Sequence, residues 1–148
     1  MLQLDPATAD RDQVVDTMIS LTHLSNLNRA IVAGPDSTEL YLALRRRGFV
    51  RIGLPSAFRL RKASCAVGLV TAQDSFPEFE TALAQVAPSL GATAAIAVLI
   101  TSSEAGFALK VRGKLEQQGF RIEAGVRCHQ GLVLSAYRQG FAQMECAA

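Results

Sequence analysis

Polar residues gather at the corners where apolar runs end. Asp36 and Ser37 follow the run 30–33, Gln73 and Asp74 follow 65–71, and Thr101, Ser102 and Glu104 follow 94–100. In open α/β sheets, ligands collect beyond the carboxyl ends of the strands, where strand order reverses. With Gly34 and Pro55 these residues form the candidate edge, polar enough to line a pocket. A competing use is local. Asp36 with Glu39, Ser75 with Glu78, and Thr101 with Glu104 each have capping-box spacing, so every corner could satisfy its own helix N-terminus. A phosphate site wants those donors free and glycine around them, and the charge of Asp36 opposes phosphate further.

A second candidate is electrostatic. Arg45, Arg46, Arg47, Arg51, Arg59, Arg61 and Lys62 lie in residues 40–73, which contain no acid. Residues 1–39 carry Asp5, Asp10, Asp12, Asp16, Asp36 and Glu39 against Arg11 and Arg29. The basic stretch could form an anion or nucleic-acid surface. It could equally be a solvated helix end neutralised by the acidic N-terminal helix or by a partner. Aromatic interleaving for base stacking is limited to Phe49 and Phe58.

No catalytic residue and no metal set emerges. His23 and His129 have no second ligand or carboxylate nearby in sequence. Cys65, Cys128 and Cys146 lack paired spacing, so they form neither a metal motif nor a disulfide framework. Cys65 reads as a small core residue, and reduced thiols fit a cytoplasmic setting.

The elements that position these corners alternate between helix and strand, which argues for a mainly parallel sheet covered on both faces. Asp10 opens a first helix with Gln13 as its capping partner, and Asn26 and Asn28 close it. Strands are expected at 30–33, 49–54, 65–71 and 94–100. Helices are expected at 37–47, 75–90 and 101–118, with Gly48 and Gly119 as caps. Residues 55–64 fit no complete element. Strands 120–126 and 132–138 are too close for a helical crossover and read as a hairpin. At 148 residues, with 49% hydrophobic and 19% charged, the chain suits one domain with a sizeable core. It divides into an N-terminal helical segment (1–28), an α/β core (29–138) and a tail (139–148). The net charge of +2 does not by itself argue for nucleic acid. No basic leader precedes an apolar run, and no apolar stretch spans a bilayer.

This pattern resembles the class I S-adenosylmethionine-dependent methyltransferases over about residues 29–138. Leu115-Glu-Gln-Gln-Gly-Phe-Arg-Ile-Glu followed by Gly131-Leu-Val-Leu-Ser-Ala-Tyr-Arg looks like the family's final helix, Gly-Phe corner and last two strands. Ala30-Ile-Val-Ala-Gly34 and Leu44-Arg-Arg-Arg-Gly48 look like its first strand and first helix. The resemblance implies a three-layer Rossmann-like sandwich. Its six-stranded, mostly parallel sheet has the order 2-1-3-4-6-5, ends in an antiparallel hairpin and lacks one outer strand.

The departures fall on the cofactor half. The family's glycine-rich first turn is here Gly34-Pro35-Asp36, in which Pro35 removes a donor. Its acid near the end of the first strand is replaced by Val32-Ala33, and its ribose-holding acid after strand two by Gly53-Leu54-Pro55. Each missing charge-assisted hydrogen bond is worth roughly 1.5–3 kcal/mol. The leading expectation is therefore a non-catalytic methyltransferase-like domain, with no cofactor, acting by self-association or partner binding through the exposed edge of strand two. The alternative is an S-adenosylmethionine-dependent methyltransferase or small-ligand binder with an altered site. A further alternative is a nucleic-acid-binding module using residues 45–62.

Overall fold

The computed structural model describes residues 6–55, 64–102 and 104–138, with backbone alone for 6–10. Its elements are α1 (Pro6–Thr22), β1 (Ala30–Ala33), α2 (Ser37–Arg46), β2 (Ile52–Gly53), β3 (Cys65–Ala72), α3 (Phe76–Val86), a 3₁₀ turn (Ala87–Ser89), β4 (Leu90–Ile100), α4 (Phe107–Gln117), β5 (Phe120–Cys128) and β6 (Gly131–Arg138). They form one six-stranded sheet in the order β2-β1-β3-β4-β6-β5. The first four strands of that order are parallel, and β6 runs antiparallel to both β4 and β5. The expected strand order is the order found, with β2 outermost on its side among the described residues.

β1 is buried on both faces, as its unbroken apolar sequence requires. Ile31 and Ala33 join the core under α3 and α4, which is filled by Phe79, Leu83, Val86, Val111 and Leu115. Ala30 and Val32 join the opposite core with Val14, Val15, Met18, Leu40 and Leu44 from α1 and α2. The sheet is thus the middle of three layers.

Several boundaries differ from the sequence expectation, each for a local reason. Helix α1 begins at Pro6 instead of Asp10. It ends at Thr22, well before Asn26, because His23 turns to φ 55 and the Leu24 N–H bonds the Ile19 carbonyl at 3.2 Å. Strand two shrinks from 49–54 to Ile52–Gly53. The Phe49 N–H is spent on the Leu44 carbonyl (3.2 Å) and the Gly48 N–H on that of Arg45 (3.0 Å). With Gly48 at φ 93, this is a Schellman closure that consumes the start of the strand. Leu90 opens β4 and pairs with Cys65, so the helix expected to reach residue 90 stops at Val86. Helix α4 begins at Phe107, not Thr101. Thr101 instead extends the sheet, its N–H bonding the Ala72 carbonyl at 3.0 Å.

Arg138 ties the end of β6 to the 3₁₀ turn. Its guanidinium donates to the carbonyls of Leu90 (2.8 Å) and Ala87 (3.2 Å) and lies 4.8 Å over the Phe120 ring. Burial lowers its pKa.

Candidate ligand site at the carboxyl edge of the sheet

The turn from β1 into α2 is shaped by its neighbour β3. Gly34 has φ 107, and a Cβ there would overlap the Thr71 carbonyl oxygen and lie 2.6 Å from Thr71 Oγ1. That hydroxyl in turn donates to the Pro35 carbonyl. Glycine is needed here so that two backbone segments can meet, whether or not a ligand approaches. Asp36 follows at φ 59, an uncommon conformation that Asp tolerates better than most residues.

Of the three expected capping boxes, one forms its cap. The Ser75 hydroxyl accepts from the Glu78 N–H at 3.3 Å. Asp36 makes no side-chain cap on α2, because its left-handed backbone directs the carboxylate elsewhere. Its Oδ2 accepts from Gln73 Nε2 at 2.6 Å, linking two corners of the edge. Glu39 pairs with Arg11 of α1 at 2.9 Å. At the third corner the Ser102 hydroxyl, not that of Thr101, receives the Glu104 N–H at 3.1 Å, and α4 starts instead from Gly106.

Two cavities flank the turn. The larger, about 660 Å³, opens beside Gly34, Ser37 and Pro55, with Leu54 on the same wall. Its opposite wall is a stripe of α3: Pro77, Glu78, Thr81 and Gln85. The smaller, about 330 Å³, lies between α1, α2 and the ends of β3 and β4. Val14, Val15, Leu40 and Leu99 give it apolar lining, while Asp36, Glu39, Arg11, Gln73 and Thr101 make it polar. Pro35 lines both, so the turn stands as a ridge between them. A third hollow, about 500 Å³, brings Thr101, Ser102 and Glu104 against the hairpin residues Arg127 to His129.

The residues of the expected edge are therefore divided. Gly34, Ser37 and Pro55 line the large cavity, Asp36 and Gln73 the small one, and Ser102 and Glu104 the third, while Thr101 borders the last two. Asp74 is exposed and lines none of them. The α3 wall was absent from the sequence reading. Residues 77, 78, 81 and 85 share a helical stripe, and that spacing was the available signal.

Of the four described residues of the basic stretch, three are committed within the chain. Arg47 pairs with Asp16 and, at 3.3 Å, with Asp12, both on α1. This is the intrachain neutralisation that the charge asymmetry allowed. Arg45 donates to the Val50 carbonyl and Arg51 to that of Leu27, each at 3.2 Å. Arg46 is exposed. Arg59, Arg61 and Lys62 lie outside the described residues. Cys65 is 2% exposed, and burial pushes its thiol pKa up, against opposing pulls from a Ser64 hydrogen bond and Arg29. Among the described residues, no group of three or more His, Cys, Asp or Glu is placed to hold a metal. No described helix is long and apolar enough to cross a membrane.

No protein-family model matches the chain, and no curated protein matches it by sequence. Solved structures do match in shape. The [4+2]-cyclase SpnF superposes with a TM-score of 0.62 at 13% identity, covering 87% of this chain and 81% of that one. The ribosomal protein L11 methylase of Lactobacillus delbrueckii subsp. bulgaricus gives 0.61 at 13% identity, covering 92% and 84%. The precorrin-6y C5,15-methyltransferase of Geobacter metallireducens GS-15 gives 0.59 at 13% identity, covering 86% and 88%. The fold is that of the class I S-adenosylmethionine-dependent methyltransferases. At such identity the likeness concerns architecture. A methyltransferase-like scaffold also carries the protein described as a cyclase, so shape alone does not name a reaction.

Proposed function

We propose that this chain is a small-ligand-binding domain of methyltransferase-like fold, and that its ligand is an S-adenosyl compound seated in the 660 Å³ cavity. The observation that carries this reading is the open space beside Gly34 and Pro55, at the carboxyl end of β1. Its size falls within the usual range for small-molecule sites. Its charge also fits. Among the described residues, Glu78 is the one ionisable side chain lining the large cavity, and next door the Arg11 guanidinium is already engaged by Glu39. Such walls suit a sulfonium cation and oppose a phosphate. When bound, S-adenosylmethionine supplies a reactive methyl group. The small cavity across Pro35, apolar below and polar at its rim, is the place for a second molecule. The reduced Cys65 and Cys128 suit a cytoplasmic setting for this reading.

Thermal unfolding with S-adenosylmethionine and S-adenosylhomocysteine tests this. Stabilisation by about 2.7 kcal/mol is expected at a ligand concentration 100 times the dissociation constant. Thr81→Trp, which places a large ring at the cavity wall, should remove the shift while the variant still unfolds cooperatively. A wild-type chain that neither gains stability nor gives binding heat with either compound refutes the reading.

The earlier expectation of association through the sheet is favoured by a different edge. β2 has two residues, and very short edge strands give little template for pairing. β5 is nine residues long and outermost on the other side among the described residues, with Arg121, Glu123 and Arg127 exposed. Antiparallel pairing of two copies about Gly125 sets each Glu123 opposite an Arg127. Glu123→Arg should then shift a dimer to monomer in sedimentation, and Glu123→Arg combined with Arg127→Glu should restore it. A wild-type monomer at all concentrations tested ends this second reading.

A further inference from the structure

We propose that the amino end of the sheet is a docking surface for anionic lipid headgroups, on which Leu27 and Val50 enter the membrane interface while Arg29, Arg45, Arg46 and Arg51 meet its phosphates.

The surface follows from the order of the chain. The connections 24–29, before β1, and 47–51, before β2, lie at the amino ends of these parallel strands, together with the last turn of α2. The cavities beside Gly34, Thr71 and Ser102 lie at the opposite end. The sequence has no acid between Asp16 and Asp36 and none between Glu39 and Asp74. Both connections therefore bring arginines to this end without a carboxylate of their own.

The charge of these arginines is left uncompensated. Arg45 and Arg51 donate to the backbone carbonyls of Val50 and Leu27, each at 3.2 Å. A carbonyl orients a guanidinium without neutralising it, and one such bond leaves most of its N–H donors for another acceptor. Arg29 and Arg46 are exposed, and neither has an ion pair among the described residues. Arg47 differs, because Asp12 and Asp16 hold it.

The same bonds set apolar tips among the charges. Leu27 is 79% exposed and Val50 is 63% exposed. Their segments lie side by side, since the Ala30 N–H bonds the Arg51 carbonyl at 3.0 Å and the Arg51 guanidinium reaches back to Leu27. Single exposed aliphatic residues need no explanation, whereas a group of them rimmed by polar side chains marks an interaction surface.

The chemistry favours lipid over other polyanions. Apolar tips gain by entering the interfacial layer, where arginine also reaches phosphate. A nucleic-acid surface would offer aromatic faces to bases, but Phe49 packs against the core of α1 and α2. An acidic peptide would need pockets for its anchors, yet neither Leu27 nor Val50 lines a cavity described above.

The chain contains no Trp, so one introduced Trp reports on its own position. Leu27→Trp is compared with Leu109→Trp, a 69% exposed position at the other end of the sheet. Each is mixed with vesicles of phosphatidylcholine and phosphatidylserine, or of phosphatidylcholine alone. Emission from Leu27→Trp should shift to the blue with the anionic vesicles only, and emission from Leu109→Trp should not shift. In co-sedimentation with the anionic vesicles, Arg29→Gln and Arg46→Gln should each weaken binding roughly fivefold. Their melting temperatures should match the wild type. Leu27→Gln combined with Val50→Gln should weaken vesicle binding and leave retention on heparin unchanged. A wild type that does not sediment with anionic vesicles overturns the proposal, as does an equal shift with neutral vesicles or a shift at Leu109→Trp instead of Leu27→Trp. Retention on heparin without vesicle binding also overturns it and assigns the surface to nucleic acid.

Discussion

The two sides of β3 are built to different standards. On one side β3, β4 and β6, of 8, 11 and 8 residues, run in long registered ladders under closely packed helices. On the other side β1 has 4 residues and β2 has 2. The long side is spent on stability. The short side stops early enough to leave a cavity, and its turn keeps two residues at positive φ. The scaffold and the candidate site are therefore separable: one can be damaged without the other, and substitutions should reveal which is which.

The largest effect is expected in the long block. Phe79→Ala empties a fully buried position in the core beneath α3 and should cost about 3–5 kcal/mol, read as a lowered denaturation midpoint. A loss well under that range would mean α3 is not the keystone of that block.

Next comes the one strict steric demand on the short side. Gly34→Ala forces a Cβ into the Thr71 backbone at a left-handed φ and should cost roughly 1–3 kcal/mol in the same measurement. A neutral outcome would show that the turn is free to move away from β3, contrary to the contrast drawn above.

A smaller pair separates a structural corner from an idle one. Ser75→Ala removes the side-chain cap of α3 and should cost about 1 kcal/mol. Asp36→Asn keeps a residue tolerant of positive φ and should stay within about 0.5 kcal/mol. If chemical denaturation reverses that order, Asp36 carries the turn after all.

The smallest effect depends on pH. Cys65 has its thiol pKa raised in the folded protein, so the native state holds that proton more tightly than the unfolded chain does. Its contribution is complete below the ordinary thiol range and is lost as pH rises through the raised value. Melting temperature should therefore decline more steeply at alkaline pH in the wild type than in Cys65→Ala. Parallel declines would show that the thiol is not the group responsible.

How much of this was legible beforehand follows the same divide. β1, the Gly48 cap, the closing hairpin and the strand order could be read because apolar runs, glycine after a helix and a short gap each have one dominant physical meaning. The extent of β2 could not, because Phe49 and Val50 look like strand residues while the Phe49 N–H had already gone to the Leu44 carbonyl. The start of α4 was misplaced because Thr101 and Glu104 have capping spacing, whereas Thr101 bonds across the sheet. Gly34 and Pro55 could be named as edge positions, but whether side chains would fill the space beside them could not be read from the sequence. The α3 wall was not legible, since Glu78 had been assigned to its own helix terminus and nothing local announces what a side chain faces from another element.

The Thr71 hydroxyl that grips the Pro35 carbonyl fastens the ridge between the two cavities to the middle of the sheet. A rim so anchored arrives at its encounter already shaped. Whatever molecule docks there would forfeit little free energy to tidying up the polypeptide, and its selectivity would reside in fit and charge instead of in a loop that folds around it.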